Sequence, residues 1–472
     1  MSDVLIVGAG SAGCVLAERL SADPNCQVTV VEAGPGPSDP EVMAQISDGL
    51  RLPIGDASSV VRRYETSLTT DPERTTVIMR GAVVGGSGAV NGGYFCRGLS
   101  TDFDGWGLPG WGWDDVLPHF RAIETDLDFG GPLHGADGPM IIRRITEFEL
   151  GAVAFIDAAR QLGYGWIDDL NGAAAGAVGV GAVPLNIDRG TRVGPGGAFL
   201  GRAVGRANLS VLDRTRVARI RLERGRAVGV ACVGPDGPFE LAADRIVLSA
   251  GAIGSAHLLH VSGVGPAAML AAAGVPVVVE LPVGTRCVDH PEWVLPVDWP
   301  ATPGRPPLEA VLTTSDGLEI RPYTTGFGAM TGGPGDDPED RPHLGVTLMR
   351  PRARGVITLA SADPTVPPVI DHRYDSESTD VEALRAGADL AHELAGTGYE
   401  VRESFWSTSQ HLSGTVPMGA DDGDSALDEQ CRVRGVDGLW VVDGSIMPSI
   451  TSRGPHATIV MIGHRAAEFI RR

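Results

Sequence analysis

The chain has no run of 18 apolar residues, which excludes a conventional membrane-spanning helix. It has no C-x-x-C, and its six cysteines (Cys14, Cys26, Cys96, Cys232, Cys287 and Cys431) are scattered. That pattern offers neither a zinc site nor a disulfide framework; it reads as reduced thiols of a cytoplasmic protein with no metal centre. Fixed-period repeats and low-complexity tracts are missing, so a solenoid is excluded. Positive charge is in deficit: 38 Lys and Arg face 59 Asp and Glu, a net charge of −21. Such a balance argues against nucleic acid and against anionic membrane surfaces as partners. An apolar strand pattern begins at residue 4, which leaves no room for a signal peptide.

At 472 residues the chain can hold two or three domains. Its first 34 residues organise the rest. Val4-Leu5-Ile6-Val7 is an all-apolar run, as a buried parallel strand should be. Gly8-Ala9-Gly10-Ser11-Ala12-Gly13 follows, then a helix pattern from Ser11 to Leu20 and a second strand, Gln27 to Val31. This is a G-x-G-x-x-G fingerprint in its required strand–turn–helix–strand setting. Gly8 permits the turn, Gly10 lets the backbone approach a pyrophosphate, and Gly13 lets helix and strand pack closely. The helix N-terminus, at Ser11 and Ala12, offers unpaired N–H groups to phosphate. Glu32, followed by Ala33, lies about 20 residues beyond Gly13, where a carboxylate can accept ribose hydroxyls. The segment predicts dinucleotide binding; alone it does not choose between NAD and FAD.

Residues 35–79 read as irregular and polar. Arg80-Gly81-Ala82-Val83-Val84-Gly85-Gly86-Ser87-Gly88-Ala89-Val90-Asn91-Gly92-Gly93 then brings three glycine clusters into fourteen residues. Neither a helix nor a packed strand tolerates that, whereas a loop lying against a ligand does. Here the chain resembles the glucose–methanol–choline family of flavin oxidoreductases, which carries an Arg-Gly-x-x-x-Gly-Gly-Ser-x-x-x-Asn segment. The resemblance implies that Val84, Gly85, Gly86, Asn91 and Gly92 line a flavin. Val90 stands where some members tether the flavin through a His, so the implied FAD is non-covalent. Ala82 and Gly88 depart from the usual basic residue and Ser.

The resemblance continues through Phe103-Asp104-Gly105-Trp106, Gly110-Trp111 and His134-Gly135-x-x-Gly138-Pro139. Trp106, Trp111 and Trp113 read as packing residues rather than a substrate cage. The segment from Arg206 to Ile220 alternates with period 2 and predicts strands of a small antiparallel sheet; Val217 matches the position that meets adenine in the family. Arg245–Ser249 predicts a buried strand capped by Ala250-Gly251. His257 and His290 read as structural. Residues 292–350 carry almost none of the family's motifs, which makes them the expected seat of substrate specificity in a reduced substrate domain.

Near the C-terminus, His411-Leu412-Ser413-Gly414-Thr415-Val416-Pro417-Met418-Gly419 resembles the family's His-x-x-Gly-Thr-x-x-Met-Gly segment. The strand Leu439–Val442 leads to Asp443 and Gly444, implied near the ribityl chain. A last helix begins about Pro455-His456-Ala457, where Pro suits the first turn. The resemblance implies a His411/His456 pair above the flavin: His411 as the base for an alcohol hydroxyl, His456 as the hydroxyl's second partner. A neutral imidazole near pH 7 can take that proton. The first N–H groups of the helix, at Ala457, would face the flavin carbonyl.

The fold implied is α/β: a glutathione-reductase-type, Rossmann-like FAD-binding domain with a smaller α+β substrate domain. The FAD domain is expected from residues 1–139, 191–291 and 411–472, and the substrate domain from 140–190 and 292–410. The function implied is oxidation of a small-molecule alcohol by hydride transfer to FAD, with electrons passed to a carrier such as a quinone. The alternatives are an oxygen-using alcohol oxidase and a non-redox hydroxynitrile lyase; an NAD enzyme would have no use for the second glycine loop. The compact length and the Arg453-Gly454-Pro455-His456 ending resemble the mycofactocin-associated bacterial dehydrogenases, which implies a mycofactocinol donor.

Overall fold

The computed structural model describes residues 2–332, 340–420 and 423–471. The first strand, Ser2–Val7, has Val4, Leu5 and Ile6 with no solvent exposure. It sits between Val28–Val31 and the second half of Gly237–Leu248, parallel to both. Leu439–Val441 adds in parallel on the far side of Gly237–Leu248. Buried on both faces, these strands need continuous apolar runs, and the sequence supplies them. The first half of Gly237–Leu248 pairs antiparallel with Arg226–Gly234, which pairs with Arg216–Glu223. One long strand thus serves the parallel sheet and an antiparallel meander.

The helix Ser11–Leu20 covers one face of the parallel sheet and packs against the last helix, His456–Arg471. At Gly13 a Cβ would lie 2.0 Å from the Gly8 carbonyl oxygen, so no larger residue fits between turn and helix.

Two expectations change. Leu209–Leu212 is not antiparallel: it extends the parallel sheet beside Val28–Val31. The cause is Asn208, whose side-chain amide donates to the carbonyls of Ser21, Asp23 and Cys26 and so fixes the strand's start there. Residues 35–79 are not irregular: they hold the helix Pro40–Ser47 and one long hairpin, Val61–Thr70 with Glu73–Gly81. The hairpin belongs to a four-stranded sheet with Val356–Thr358 and Val369–Asp371. Residues 291–348 hold four strands: Pro291–Pro296, Ala310–Thr313, Leu318–Tyr323 and His343–Leu348.

Those strands belong to a second seven-stranded sheet. Its order is Phe405–Thr408, Pro291–Pro296, His343–Leu348, Leu318–Tyr323, Ala310–Thr313, Gly179–Ala182 and Trp166–Ile167. It is antiparallel except for its last pair. One face packs the helices Leu150–Gln161 and Ser378–Leu394 through Phe155, Leu312, Ile320, Val346 and Leu384. The opposite face presents Glu292, Arg321, Tyr323 and His343, alternating with the core residues as period 2 requires. Trp106 and Trp111 are buried in the core, their indole N–H groups donating to Ser449 and Glu429 carbonyls.

Glu124, Asp126 and His134 lie close enough together to resemble a metal site. Arg97 already pairs with Glu124, and Arg144 pairs with Asp126 at 2.8 Å. Although burial opposes it, hydrogen bonds to Asp126, Asp169 and Glu124 raise the His134 pKa to about 10, so a third cation is present. The cluster is a charge-compensated network.

Candidate active site

One cavity of 1140 Å³ runs from the glycine turn at the end of the first strand to the polar face of the second sheet. Of the residues expected to hold the cofactor, Gly8, Gly10, Ser11, Ala12, Glu32, Ala33, Gly86, Asn91, Gly92, Val217, Ala250, Asp443 and Gly444 lie on its wall. Gly13, Val84, Gly85 and Ala457 do not; they stand behind it and shape it. The two glycine loops meet at Gly86, where a Cβ would come within 2.7 Å of Gly10 Cα. Gly86 also has φ of 55°, a conformation that favours glycine.

The fit to a dinucleotide is tested by polar atoms without protein partners. The wall carries His257 Nε2, Arg80 Nη2 and both ring nitrogens of His456, all buried and unpaired. Buried polar groups are normally satisfied, so these await a ligand. His257, read from sequence as structural, is therefore a wall residue. Glu32 is positioned by its own loop: its carboxylate accepts Ala9 N–H and Gly34 N–H, both at 2.8 Å. Burial raises its pKa, and those N–H groups oppose the rise. Asp443 is likewise spent on protein, accepting Ser255 Oγ, Ser445 Oγ and the Gly251 N–H. It locks the helix Gly251–Val261 onto the turn that ends the closing strand.

At the other end, the strand Phe405–Thr408 stops and the chain turns through Gln410, whose φ of 60° is unusual for a residue with a side chain. The side-chain carbonyl of Gln410 holds the turn by accepting Met79 N–H at 2.9 Å. His411 follows. Its N–H donates to Asp289 Oδ1 at 2.7 Å, and His290 N–H donates to the same oxygen at 2.8 Å. One buried carboxylate thus anchors both histidines. Their rings meet edge to face, with Nδ1 to Nδ1 at 2.9 Å. Burial first, then His290, Arg321 and Arg80, push the His411 pKa well down, so the ring is neutral at pH 7.

The ring of His411 is hydrogen-bonded to His290. No hydrogen bond or ring contact joins His411 to His456. The His456 ring packs edge-on against Phe95, centroids 5.3 Å apart, and its Nε2 lies over Gly88 beside Ser11 Oγ. The residue of that loop facing His411 is Gly454, where a Cβ would lie 3.5 Å from His411 Cε1.

Behind the wall runs a chain of buried charges. Glu319 accepts Tyr94 Oη and Arg453 Nη1 at 2.8 Å and Arg321 Nη2 at 2.7 Å. Arg321 Nη1 donates to Ser409 Oγ at 3.1 Å, and Ser409 donates to Glu292 at 2.7 Å. Burial works against ionising Glu319, but Arg321 and Arg453 hold its carboxyl below the usual range.

Comparison with known proteins agrees with this geometry. Residues 2–292 and 351–463 match the N- and C-terminal GMC oxidoreductase family profiles. The chain is 41% identical to a GMC-type oxidoreductase of Rhodococcus erythropolis, over 99% of this chain and 98% of that one. It is 31% identical to an oxygen-dependent choline dehydrogenase of Photobacterium profundum, over 99% and 92%. Among solved structures, pyridoxine 4-oxidase from Mesorbium loti superposes with a TM-score of 0.89 at 30% identity, covering 100% of this chain and 99% of that one. The chain belongs to the GMC oxidoreductase family, with its Rossmann-like FAD-binding fold, and is an FAD-dependent oxidoreductase of alcohol-like substrates.

Proposed function

We propose that the cavity oxidises the CH–OH group of an alcohol, with His411 as the base. The observation that carries the reading is the His290–His411 pair. An Nδ1–Nδ1 hydrogen bond needs one proton between the two nitrogens. We assign that proton to His411 Nδ1, so that His290 accepts at its own Nδ1. His411 Nε2 then keeps its lone pair on the cavity side and can take the hydroxyl proton. Asp289 fixes the backbone of both residues, which spares the search for a reactive orientation. When bound, FAD supplies the acceptor for the carbinol hydride, and the alcohol leaves as a carbonyl compound.

We assign His456 to the flavin side, because its nitrogens lie over the two glycine loops that bracket the dinucleotide. Stopped-flow flavin bleaching under anaerobic conditions tests both roles. His411→Ala should slow bleaching by roughly 10²–10⁴-fold with FAD content intact. His456→Ala should lower FAD content instead. Near-wild-type bleaching in His411→Ala would place the base elsewhere, and the absence of bleaching by any alcohol in the wild type would favour a lyase.

For reoxidation we take a carrier such as a quinone. The relatives named oxygen-dependent choline dehydrogenase favour O₂ as a second reading. Parallel reoxidation of the bleached enzyme by O₂ and by a quinone dye decides between them. Peroxide release at the turnover rate in air selects the second.

A further inference from the structure

Among the described residues, five arginines are fully buried: Arg97, Arg144, Arg192, Arg321 and Arg453. Four of them pair with a carboxylate. Arg192, 4% exposed, forms no ion pair with any described residue. Its guanidinium donates only to backbone carbonyls: Nε to Asn91 at 2.9 Å, Nη1 to Ile46 at 2.8 Å and Ala89 at 3.4 Å, and Nη2 to Arg51 at 2.6 Å. The carboxylate whose charge it feels is Asp48. That side chain is 41% exposed, accepts Leu50 N–H at 2.9 Å and lies 4.0 Å from Arg51, so water and a second cation weaken its influence. Burial lowers the Arg192 pKa to about 10, which leaves the group charged at pH 7. A buried cation without a counter-ion is costly, and its cost falls when negative charge arrives nearby.

We propose that Arg192 is a positioning residue that raises the reduction potential of the flavin, its charge standing behind the second glycine loop as the counter-charge of the reduced ring. Arg192 does not line the cavity, but Asn91, whose carbonyl it holds, and Val90, between its two loop contacts, do. Its field reaches the cavity: it acts on His456 on the flavin side. Burial, followed by Arg192, pushes the His456 pKa down to about 4, so at pH 7 that imidazole is neutral and brings no positive charge of its own. The inference rests on the alcohol-oxidising reading for the source of the charge. A hydride from the carbinol carbon adds two electrons and one proton at flavin N5, while the hydroxyl proton goes to His411. The ring system therefore ends one negative charge richer. A fixed cation in a dry site favours that state and needs no rearrangement when it forms.

The test uses the holoenzyme and two readouts that need no alcohol. One is the flavin midpoint potential, from equilibration with a redox dye. The other is the affinity for sulfite, which adds at N5 and leaves negative charge on the ring. Arg192→Met removes the charge and keeps most of the volume. It should disfavour the reduced flavin by at least about tenfold, a midpoint about 30 mV lower, and weaken sulfite by at least about tenfold. Arg192→Lys keeps the charge but not the planar fork, so its midpoint should stay above that of Arg192→Met even where FAD is held less tightly. A loop anchor without an electrical role would lower FAD content in both variants and leave the midpoint of the loaded fraction alone. An unchanged midpoint in loaded Arg192→Met, or a lysine variant shifted as far as the methionine one, would overturn the proposal. Should Arg192→Met yield no holoenzyme, Asp48→Asn decides. It keeps the acceptor for Leu50 N–H and removes the opposing charge, so the midpoint should rise and sulfite should bind more tightly; a midpoint unchanged or lower would overturn the proposal. A potential that follows charge in an enzyme that no alcohol bleaches would leave this inference standing and overturn the alcohol-oxidising reading.

Discussion

If His290 sets the tautomer of His411, replacing it should damage the chemistry while sparing the cofactor. His290→Leu removes the ring nitrogens and keeps most of the volume. The lost bond is the Nδ1–Nδ1 contact at 2.9 Å. His290 is fully buried, so His411 Nδ1 is left facing an apolar side chain. Leaving a buried polar group unsatisfied costs about 1–3 kcal/mol. At 1.36 kcal/mol per tenfold, flavin reduction should slow by roughly 5- to 150-fold. The loss should be smaller than in His411→Ala, because the Asp289 bond to the His411 N–H and the Ser413 bond to its carbonyl survive. The assay is stopped-flow bleaching with an alcohol the wild type accepts, alongside FAD content from absorbance. His290→Asn, which can still present an acceptor, should recover part of the rate. A rate within twofold of wild type in His290→Leu, or a loss fully explained by missing FAD, would refute the reasoning.

Three further outcomes are expected. Glu32→Ala removes the acceptor of the Ala9 and Gly34 N–H groups along with the proposed ribose contact, so FAD affinity should fall by roughly 10- to 150-fold, about 1.5–3 kcal/mol; an unchanged dissociation constant would remove Glu32 from the site. With Val90 at the tethering position, acid or heat denaturation should release all FAD into the supernatant; yellow precipitate would mean a covalent link. His290, His343 and His456 are buried with pKa values pushed down to about 4, so the unfolded chain takes up protons below pH 6.5 that the folded chain refuses. The contribution of these three histidines is therefore complete above about pH 6.5 and should be lost towards pH 4, by about 1.4 kcal/mol per pH unit for each; a urea midpoint unchanged between pH 7.5 and 4.5 would contradict this.

The FAD-binding fold was legible because its signals are local. Val4 to Glu32 form a strand, a turn, a helix and a strand within one short stretch, and each glycine has a reason confined to its neighbours. The second sheet was illegible for the opposite reason. Leu318-Glu319-Ile320-Arg321-Pro322-Tyr323 alternates as an amphipathic strand does, and such a pattern normally means one face in water. Here both faces are buried, because the polar face closes on Tyr94, Arg453 and Ser409 from distant parts of the chain. Nothing within six residues announces that arrangement. The Val61–Gly81 hairpin was hidden by composition: its Thr and Ser residues suit a polar two-stranded ribbon as well as a loop.

The histidines show where motif matching reaches its limit. Position in a motif identifies the loop, and its residues Gly454, Pro455 and His456 do line the cavity. It does not by itself say where each side chain of that loop points, because successive residues of a turn entering a helix point in different directions. Gly454 faces His411, and His456, already in the first turn of the helix, faces the glycine loops. His290 stands in an Asp289-His290-Pro291 stretch that resembles the family but reads as structural; its contact with His411 joins residues 121 apart and exists only once Asp289 has gathered both backbones. Gly454 has little room for a side chain: a Cβ there would come within 3.0 Å of the Tyr94 ring and 3.5 Å of His411 Cε1. The hydrogen bond that orients the His411 ring comes from His290, which makes substitution of His290 the sharper test of the proposed base.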